Sequence, residues 1–413
     1  MAESFESARN IILENVSLLE AETVELVHLI GRVLAEELRA PWDLPRWDNS
    51  EMDGFAVRAV DCQPFARLQV EGYLPAGAVA DGVFVHPGTA VRIMTGAPIP
   101  VGCDAIVPIE DTEPEGNIIT INRAVGVGDY IRFRGSDIAA GEAILPLGTV
   151  LRPAEINLLA SFSQLQGAVV RRPQVAILST GDELVAPGEI PSAGQIIDSN
   201  SWSLAAAVRE IGAIPMLLGI ARDNSESLTE MITLGFKADV LLTSAGVSTG
   251  DRDLVREILE NAGVQRLFWK VAIKPGGPTA FGLKGSKPIF SLPGNPVSSM
   301  IGFEELVRPA LLKMMGHSEV LRPLTKATVR GSFRNKTGKT RFLRVKVEMT
   351  PEGLVAESAG DQNTGILSTM IRANAIAILS AEQNVLSSGE QVDVQLLNRT
   401  RCLDLGNENF WTG

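Results

Sequence analysis

The sequence predicts a multidomain protein of α/β and β architecture, in which one central α/β domain is accompanied by β-rich domains. The chain has 413 residues, and a chain of this length normally forms two to four domains. Strands and helices alternate in residues 172–318, whereas residues 48–137 and 319–413 contain short apolar runs separated by turns. Alternation of this kind indicates a mostly parallel sheet in the central domain.

The N-terminal segment, residues 1–47 together with 138–171, predicts a helical domain that links the others. Apolar residues recur at helical spacing over residues 4–16. A second periodic stretch covers roughly 24–38 and ends before two prolines, which stop helices. A short helix is expected near residues 153–163.

Residues 48–137 predict a β-rich lobe that is inserted near the N-terminus. Glycine and proline are frequent there, apolar runs are short, and turns recur, as in the stretch from Pro75 to Asp111. The lobe should therefore carry its functional residues on loops.

Four apolar segments predict the strands of the central sheet, and helical stretches lie between or after them. The strands are expected at 174–180, 214–221, 238–244 and 287–293, and the helices at 199–211, 226–235, 251–262 and 296–315. Such helices should cover both faces of the sheet. After a linker at 316–324, alternating strands predict a small C-terminal β domain over residues 319–413.

Small, polar and acidic residues follow each predicted strand of the central domain. Sheets of this class bind ligands at the carboxyl ends of their strands, so these loops should form one rim. The rim candidates are Ser179, Thr180, Gly181, Glu183, Asp198, Ser199, Asn200, Asp223, Ser244, Gly246, Val247, Ser248, Gly250, Asp251, Asp253, Pro293, Gly294 and Asn295. Lys270 and Lys274, with Pro275 and Gly276, are expected near the same rim.

The composition of this rim predicts a site for a phosphorylated ligand and a divalent cation. Glycine-rich turns that open onto helices leave backbone N–H groups free to bind phosphate. Carboxylates beside a phosphate commonly hold a hard cation such as Mg2+. Each stretch alone is also explained as a turn or a helix cap, for example Asp251 capping the helix after it. The functional interpretation therefore depends on the convergence of the loops.

Charge and composition argue against several other classes of protein. The net charge is −12 and the pI is about 5.0, so a nucleic-acid partner is not expected. Three separated cysteines and three histidines indicate neither a disulfide framework nor a zinc site. The sequence shows no signal pattern and no apolar stretch of membrane-spanning length, so we expect a soluble cytoplasmic protein with no membrane association.

Two short motifs match known catalytic patterns without the context that those patterns require. Residues 246–250 fit Gly-x-Ser-x-Gly, yet only His317 follows as a possible triad histidine, and no oxyanion-hole stretch is visible. Residues 336–340 resemble the end of a P-loop but lead into a predicted strand rather than a helix. Neither the serine-hydrolase nor the P-loop interpretation is therefore favoured for these residues.

Seven motifs occur in the order that one protein family shows. They are DNSEMDGFAV (48–57), RIMTGAPIPVGCDAIVPIEDT (92–112), STGDELV (179–185), GQIIDSN (194–200), SAGVSTGDRD (244–253), FWKVAIKPGGP (268–278) and SLPGNPVS (291–298). Over essentially its whole length, the sequence closely resembles the molybdopterin molybdenumtransferases, the family of bacterial MoeA and the gephyrin E domain.

The resemblance implies an elongated four-domain protomer that forms a homodimer, with dimerisation assigned to the helical domain and molybdopterin binding to the central domain. The implied reaction inserts molybdate into the dithiolene of adenylylated molybdopterin. This step depends on Mg2+, releases AMP and gives molybdenum cofactor. The implied partners are molybdopterin adenylyltransferase and the molybdoenzyme apoproteins or their chaperones.

The resemblance also assigns roles to individual residues. The catalytic set is Asp53, Glu183, Asp253, Lys270 and Lys274, and Asp223 and Asp253 would hold Mg2+. The resemblance adds substrate-binding residues from two further domains. Thr95, Arg132 and Asp137 lie in the β-rich lobe, which in the family faces the central domain of the other subunit. Arg344 and Ser368 lie in the last domain, where the pattern is looser. Ala245 stands where many relatives have glycine, so its backbone is expected to have a negative φ.

Two other functions remain as alternatives at this stage. A pterin- or nucleotide-binding scaffold would bind the adenylylated pterin without releasing AMP in response to molybdate. A serine hydrolase would react with a fluorophosphonate probe at Ser248. The intact set of acids and lysines favours the transferase over both.

Overall fold

The computed structural model describes residues 2–245, 254–335 and 338–397, which divide into two compact units. Unit 1 takes its described residues from Met1–Thr23, Gly31–Val33 and Ala168–Gly413, and unit 2 from Val24–Ile30 and Leu34–Gly167. None of the helices in these ranges has the length and hydropathy needed to cross a membrane.

The elements follow one another along the chain in this order. The helices are α1 (Phe5–Glu14), α2 (Pro153–Ser161), α3 (Asn200–Glu210), α4 (Ser225–Gly235), α5 (Leu254–Asn261), α6 (Pro296–Gly302), α7 (Arg308–Met314) and α8 (Ser368–Arg372), with 3-10 turns at Leu26–His28, Ala59–Asp61 and Ile109–Asp111 and a π-helix at Phe303–Val307. The strands are β1 (Ala21–Glu25), β2 (Leu38–Arg39), β3 (Asn49–Ser50), β4 (Gly54–Val57), β5 (Arg67–Leu74), β6 (Thr89–Ile93), β7 (Ala105–Pro108), β8 (Thr112–Glu115), β9 (Ile118–Ile121), β10 (Ile131–Arg132), β11 (Ala143–Leu145), β12 (Gln166–Val170), β13 (Gln174–Thr180), β14 (Leu184–Val185), β15 (Ile196–Ile197), β16 (Ile214–Ala221), β17 (Val240–Ser244), β18 (Gln265–Phe268), β19 (Ile273–Lys274), β20 (Ala280–Lys284), β21 (Lys287–Leu292), β22 (Leu324–Val329), β23 (Phe333–Arg334), β24 (Thr340–Thr350), β25 (Gly353–Ser358), β26 (Ala375–Leu379), β27 (Val385–Leu386) and β28 (Gln391–Leu396).

The α/β domain of unit 1 is built on a six-stranded sheet of order β16-β13-β17-β21-β20-β18. The first four strands are parallel, which confirms the mostly parallel sheet predicted from the sequence. β20 is antiparallel to both β21 and β18, so the sheet extends by a hairpin and one further strand that the sequence did not predict.

Helices cover both faces of this sheet, as predicted. Side chains alternate along a strand, so Val175 and Ile177 of β13 pack in one apolar cluster with residues of α1, α3, α6 and α7. Ala176 and Leu178 point to the opposite face and pack with residues of α4 and α5. β13 is therefore buried between two layers of helices.

The C-terminal part of unit 1 forms a second sheet of order β19-β24-β25-β22-β28-β26. β24 also pairs with β26, so five of these strands close on themselves around a core that includes Val345, Ala377 and Val394. This confirms the predicted small β domain. β19 lies between β18 and β20 of the α/β domain in the sequence, yet it pairs with β24 of this second sheet, where Lys274 is in register with Arg341.

Unit 2 contains a six-stranded sheet of order β7-β4-β6-β5-β9-β8, which confirms the β-rich lobe. Buried side chains on its two faces belong to separate clusters, one around Val57 and Val107 and the other around Ala56 and Ile106. The helix expected near residues 153–163 is present as α2.

The helix predicted for residues 24–38 is wrong. The segment instead contains the end of β1, the 3-10 turn Leu26–His28 and the beginning of β2. Gly31 has a φ of 73°, a left-handed conformation that interrupts any right-handed helix. Leu29 and Leu34 are fully buried, so the apolar spacing reflects burial of an irregular segment rather than a helical face.

Candidate functional site

The loops that follow β13 and β16 are joined by hydrogen bonds at the carboxyl edge of the parallel sheet. The backbone N–H of Asp223 donates to Asp182 Oδ1 at 3.1 Å. The N–H of Gly181 donates to the carbonyl of Ala221 at 3.2 Å. The side chain of Asp223 is exposed and takes no part in these two hydrogen bonds. The backbone hydrogen bond to Asp182 therefore positions Asp223 at the edge of the sheet.

Asn200 connects three segments of the same edge. Its Nδ2 donates to Ser244 Oγ, at the end of β17, and to the carbonyl of Gly294, after β21, each at 2.8 Å. Its Oδ1 is buried and has no hydrogen-bond partner among the described residues. Since a buried acceptor without a donor is unfavourable, this oxygen is suited to a donor group of a ligand or a water molecule.

Asp198 is buried, and its carboxylate is occupied by the protein itself. Asp198 Oδ1 accepts from Ser179 Oγ at 2.9 Å and from the backbone N–H of Ser201 at 3.1 Å. Asp198 Oδ2 accepts from Ser201 Oγ at 2.6 Å. This geometry supports a role in positioning the start of α3 rather than direct contact with a ligand. Of its neighbours on the rim, Thr180 is buried and Ser199 is exposed.

Glu183 turns back over the glycine that follows β13. Gly181 has a φ of 144°, and a Cβ on it would lie 2.5 Å from Glu183 Oε2. Only glycine fits this position while the carboxylate stays there. Glu183 is exposed, so its charge lies at the open edge of the sheet in the loop next to Asp223.

The acids of this edge match part of a magnesium site. Within the described ranges no three His, Cys, Asp or Glu side chains are close enough together to bind a metal ion. Mg2+ on a phosphorylated substrate needs only one or two carboxylates, because phosphate oxygens and water supply the rest. The donor chemistry of Glu183 and Asp223 fits that requirement. Several predicted residues lie outside the described residues: Gly246, Val247, Ser248, Gly250, Asp251 and Asp253.

The negative φ expected at Ala245 is wrong. Its φ is 75°, although its backbone N–H still donates to the carbonyl of Leu292 at 3.1 Å. The turn after β17 therefore requires a left-handed residue, and alanine adopts it at a cost of about 1 kcal/mol. A Cβ on Gly294 would lie 3.1 Å from Ala245 Cβ, so the two turns are in close contact.

Lys270 and Lys274 follow β18, which runs in the same direction as β21. Lys270 therefore begins its loop at the same edge of the sheet as the rim, and its carbonyl accepts from the N–H of Glu3 at 2.9 Å. Both lysine side chains are exposed, and neither forms an ion pair with another residue that the structure describes. The adjoining Pro275 and Gly276 are buried, and Gly276 has a φ of 96°.

Arg344 is 1% exposed, and among the described residues its side-chain hydrogen bonds are accepted by two backbone carbonyls and a hydroxyl rather than by carboxylates. Its Nη2 donates to the carbonyls of Asp361 and Asn363, each at 3.1 Å, and its Nε donates to Thr369 Oγ1 at 2.7 Å. Burial lowers the pKa of Arg344. The residue thus fixes the loop after β25.

Ser368 is not joined to Arg344 in the structure. Its side chain is exposed on α8 and accepts from Arg372 Nη2 at 3.2 Å. The contact that the sequence interpretation missed lies in the preceding loop, where Asn295 Nδ2 donates to Thr364 Oγ1 at 3.0 Å. This bond joins the rim to the loop that Arg344 fixes. Thr364 belongs to none of the seven motifs quoted above. The sequence indicates only that it lies in a loop between two predicted strands.

In unit 2, the structure brings Asp53 and Thr95 together. Asp53 Oδ1 accepts from the backbone N–H of Thr95 at 2.7 Å and from its Oγ1 at 2.8 Å. These two hydrogen bonds, followed by the positive charge of Arg92, lower the pKa of Asp53, which therefore remains a carboxylate. The side chain of Asp53 is exposed.

Arg132 and Asp137 lie on a different segment of unit 2. Arg132 Nη2 lies 3.9 Å from Glu51 Oε1, because β10 pairs with β3. The backbone N–H of Asp137 donates to the carbonyl of Leu44 at 3.1 Å. Both side chains are exposed.

Together, the fold and the rim define a multidomain α/β protein whose candidate site lies at the strand ends of its central domain. Family models match three consecutive stretches of the chain. Residues 3–163 match the MoeA N-terminal region (domain I and II), residues 176–313 a probable molybdopterin binding domain, and residues 326–397 the MoeA C-terminal region (domain IV).

Curated relatives and solved structures agree with these matches. The chain is 33% identical to a molybdopterin molybdenumtransferase of Staphylococcus aureus over 93% of each chain. It is 35% identical to molybdopterin molybdenumtransferase 2 of Mycobacterium tuberculosis over 95% of this chain and 98% of that one. A crystal structure of the molybdopterin biosynthesis MoeA protein of Pyrococcus horikoshii aligns with a TM-score of 0.82 and 29% identity, over 96% of this chain and 100% of that one. The chain therefore belongs to the MoeA family of molybdopterin molybdenumtransferases.

Proposed function

We propose that this protein inserts molybdate into the dithiolene of adenylylated molybdopterin and releases AMP, giving molybdenum cofactor. The observation that carries the proposal is the joined edge of the central sheet. There Asn200 connects the ends of β17 and β21 and the Asp223 N–H connects the ends of β13 and β16. This edge belongs to the stretch that matches a molybdopterin-binding domain.

Anionic substrates need local positive charge, because the whole chain carries a net charge of −12. Molybdate and the adenylyl phosphate are both anions, and the exposed ammonium groups of Lys270 and Lys274 lie in the segment that begins at this edge. As point charges on flexible stems, these lysines can orient an oxyanion without strict geometry. The buried Oδ1 of Asn200 is suited to accept a hydrogen bond from a donor group of the pterin.

The carboxylates at the same edge have a second role in the proposal. Asp223, together with Asp253, would hold Mg2+, while Glu183 would help to place the metal or transfer a proton. When bound, Mg2+ would polarise the phosphate that is attacked by water. Asp223 is suited to this task because Asp182 holds its backbone, while its exposed carboxylate has no hydrogen-bond partner among the residues that the structure describes.

The site is proposed to be completed by a second copy of the chain in a homodimer. Asp53 is held as an exposed carboxylate by Thr95, and such a group on the β-rich lobe of one copy would face the central domain of the other. The β-rich lobe would also contribute Arg132 and Asp137. In the last domain, Arg344 would contribute indirectly, because it fixes the loop after β25.

The reaction also defines the proteins that act before and after this one. A molybdopterin adenylyltransferase would supply the substrate, and molybdoenzyme apoproteins or their chaperones would receive the product. We place this exchange in the cytoplasm, where all of these steps would occur.

The direct test is AMP release from adenylylated molybdopterin. The wild-type protein should release AMP only when molybdate and Mg2+ are both present. Asp223→Ala should abolish release without changing the folded state, since no residue that the structure describes donates a hydrogen bond to its carboxylate. Glu230→Ala, an exposed acid on α4, is the matched control and should keep full activity. Binding of the pterin without AMP release by the wild-type protein would contradict the proposal.

A further inference from the structure

Basic side chains meet where the segment after β18 pairs with the beginning of β24. β19 is parallel to β24, and Lys274 is in register with Arg341. The N–H of Thr340 donates to the carbonyl of Ala272 at 3.0 Å, which continues the same pairing. The last β domain therefore places the start of β24 directly beside the lysine segment of the central domain.

Lys274 and Arg341 extend from the same face of this strand pair. Ile273 and Phe342 are buried in one apolar cluster with residues of α1 and α7. Because side chains alternate along a strand, Lys274 and Arg341 leave from the opposite face, on strands about 4.8 Å apart. Like charges side by side in a sheet are destabilising unless a negative charge offsets them.

Lys339 brings a third positive charge to the same junction. Its Nζ lies 4.0 Å from the position that a Cβ on Gly277 would take, so the ammonium group lies against the glycine three residues after Lys274. The fold sets the backbone of Lys339. Asn335 is fully buried, and its Nδ2 donates to the carbonyl of Lys339 at 2.8 Å and to that of Ser380 at 3.0 Å.

The described residues provide no carboxylate that compensates these three charges, although the chain has a net charge of −12. The side chains of Lys274, Lys339 and Arg341 form no hydrogen bond or ion pair within the described ranges. Arg341 is half-buried, and burial lowers its pKa without an opposing effect from a described acid. Glu3 pairs with this segment through its backbone, but its Oε2 accepts from Ser7 Oγ at 2.9 Å.

Cations without neighbouring acids suit a free oxyanion better than a phosphate that carries a metal ion. A phosphate with Mg2+ needs carboxylates beside it, which in the proposed reaction are Asp223 and Asp253. Molybdate is a tetrahedral dianion that needs positive charge alone. Ammonium groups act on such an anion as point charges, and a guanidinium can donate to two of its oxygens.

We propose that Lys339 and Arg341 of the last domain bind molybdate together with Lys274. The inference rests on the proposed function and adds to it two residues that none of the seven motifs contains. Lys339 is the better residue to test, because its side chain is exposed and has no partner among the described residues whose loss would destabilise the fold.

The test is equilibrium dialysis of radiolabelled molybdate against the full-length protein in the absence of pterin. Ionic strength is kept constant, with chloride as the balancing anion. The wild-type protein should bind molybdate saturably. Lys339→Met should raise the Kd by about tenfold or more, because one charge-assisted contact is lost. Lys339→Arg keeps the positive charge and should bind nearly as tightly as wild type.

Lys237→Met is the matched control, because it changes the net charge by the same amount. Lys237 is exposed and forms no ion pair with a residue that the structure describes, but it follows α4 at the opposite edge of the sheet. This variant should keep the wild-type Kd. Equal Kd values for Lys339→Met and Lys237→Met would overturn the proposal, as would a wild-type protein that does not bind molybdate.

A parallel titration with AMP distinguishes molybdate from the adenylyl phosphate as the anion at this junction. Lys339→Met should bind AMP as tightly as wild type. A loss of AMP binding as large as the loss of molybdate binding would overturn the proposal.

The binding assay needs no turnover, so its failure differs from a failure of the proposed reaction. Molybdate binding that depends on Lys339, without AMP release from the adenylylated pterin, would contradict the reaction and leave the binding site in place. Molybdate-dependent AMP release with an unchanged KM for molybdate in Lys339→Met would contradict the role of Lys339 and leave the reaction in place.

Discussion

Gly294 and Ala245 lie against each other at the ends of two neighbouring strands, and this contact bears on how the rim is shaped. A Cβ on Gly294 would be 3.1 Å from Ala245 Cβ, closer than ordinary van der Waals contact. The carbonyl of Gly294 also accepts from Asn200, so the turn cannot shift without stretching that bond. Residue size at two positions thus controls the spacing of two loops.

We expect Gly294→Ala to lower the free energy of unfolding by about 1–2 kcal/mol, because it overpacks the turn. Ala245→Gly in the same chain should restore part of this loss, since it removes the opposing methyl group and relieves the left-handed alanine. Chemical denaturation of the two single variants and the double variant measures the coupling. Gly365→Ala, where the nearest atom is 3.6 Å away, is the control. Additive effects of the two substitutions would show that the contact has no energetic consequence.

Glu305 is a buried acid outside the candidate site. It is 3% exposed in the π-helix Phe303–Val307, and its Oε2 accepts from Gln395 Nε2 at 3.4 Å. Burial, followed by the negative charge of Glu304, raises the pKa of Glu305 from 4.5 to about 8. The folded protein therefore keeps a proton on Glu305 at pH 7 that the unfolded chain releases.

Because the folded state binds more protons than the unfolded state, stability should fall as pH rises from the unfolded pKa towards the folded one. Glu305→Gln mimics the neutral acid and should remove this dependence. Relative to wild type, the variant should gain more than about 1 kcal/mol between pH 5 and pH 8. Denaturation at several pH values measures this difference, with the exposed Glu319→Gln as control. Parallel curves for wild type and Glu305→Gln would contradict the assignment.

At the scale of elements, Asp239 fixes the beginnings of β13 and β17. It makes the bidentate pair with Arg171 and accepts from the N–H of Gln174 at 2.8 Å. Burial raises the pKa of Asp239, but the hydrogen bonds from Arg171 and Gln174 outweigh it and leave the pKa lowered. The charged form is therefore the one that stabilises the fold.

We predict that Asp239→Asn lowers the free energy of unfolding by about 2–3 kcal/mol at neutral pH. A lowered pKa gives stability above the unfolded pKa and loses it as pH falls through the folded pKa, so the difference should shrink in acid. Asp393→Asn, which breaks a more exposed pair with Lys326, should cost less than about 1 kcal/mol. A smaller effect at Asp239 than at Asp393 would show that the pair does not hold the strands.

The elements also show what the sequence could and could not predict. The parallel strands are long apolar runs, so β13 and β17 were predicted almost to the residue. β18 and β20 were missed because Gln265–Phe268 is half polar and Ala280–Lys284 is short and contains a glycine. The false helix at residues 24–38 shows that apolar spacing alone does not determine a helix when a left-handed glycine lies within it.

In the candidate site, too, some features could be predicted from the sequence and others could not. The position of the described loops at one edge of the sheet could be predicted, because parallel strands end side by side and the residues after each strand are visible in the sequence. The bond between Asn295 and Thr364 could not, since it joins segments almost seventy residues apart through tertiary packing. The left-handed Ala245 was also missed, because the backbone of one turn depends on the turn next to it.

At the scale of the whole molecule, the structure describes two compact units, and the division of the chain into four domains stays a prediction. Unit 1 contains the rim with Asp223, and unit 2 contains the carboxylate of Asp53. The proposed function requires these two acids to act at one site in a homodimer, with each contributed by a different copy.

The most direct test of that claim is the activity of a purified heterodimer of Asp53→Ala and Asp223→Ala chains. If each site combines the β-rich lobe of one copy with the central domain of the other, one site of the heterodimer has both acids and the other has neither. We therefore predict AMP release at about half the wild-type rate, while each variant alone is inactive. An inactive heterodimer, formed from correctly folded chains, would contradict a site shared between two copies.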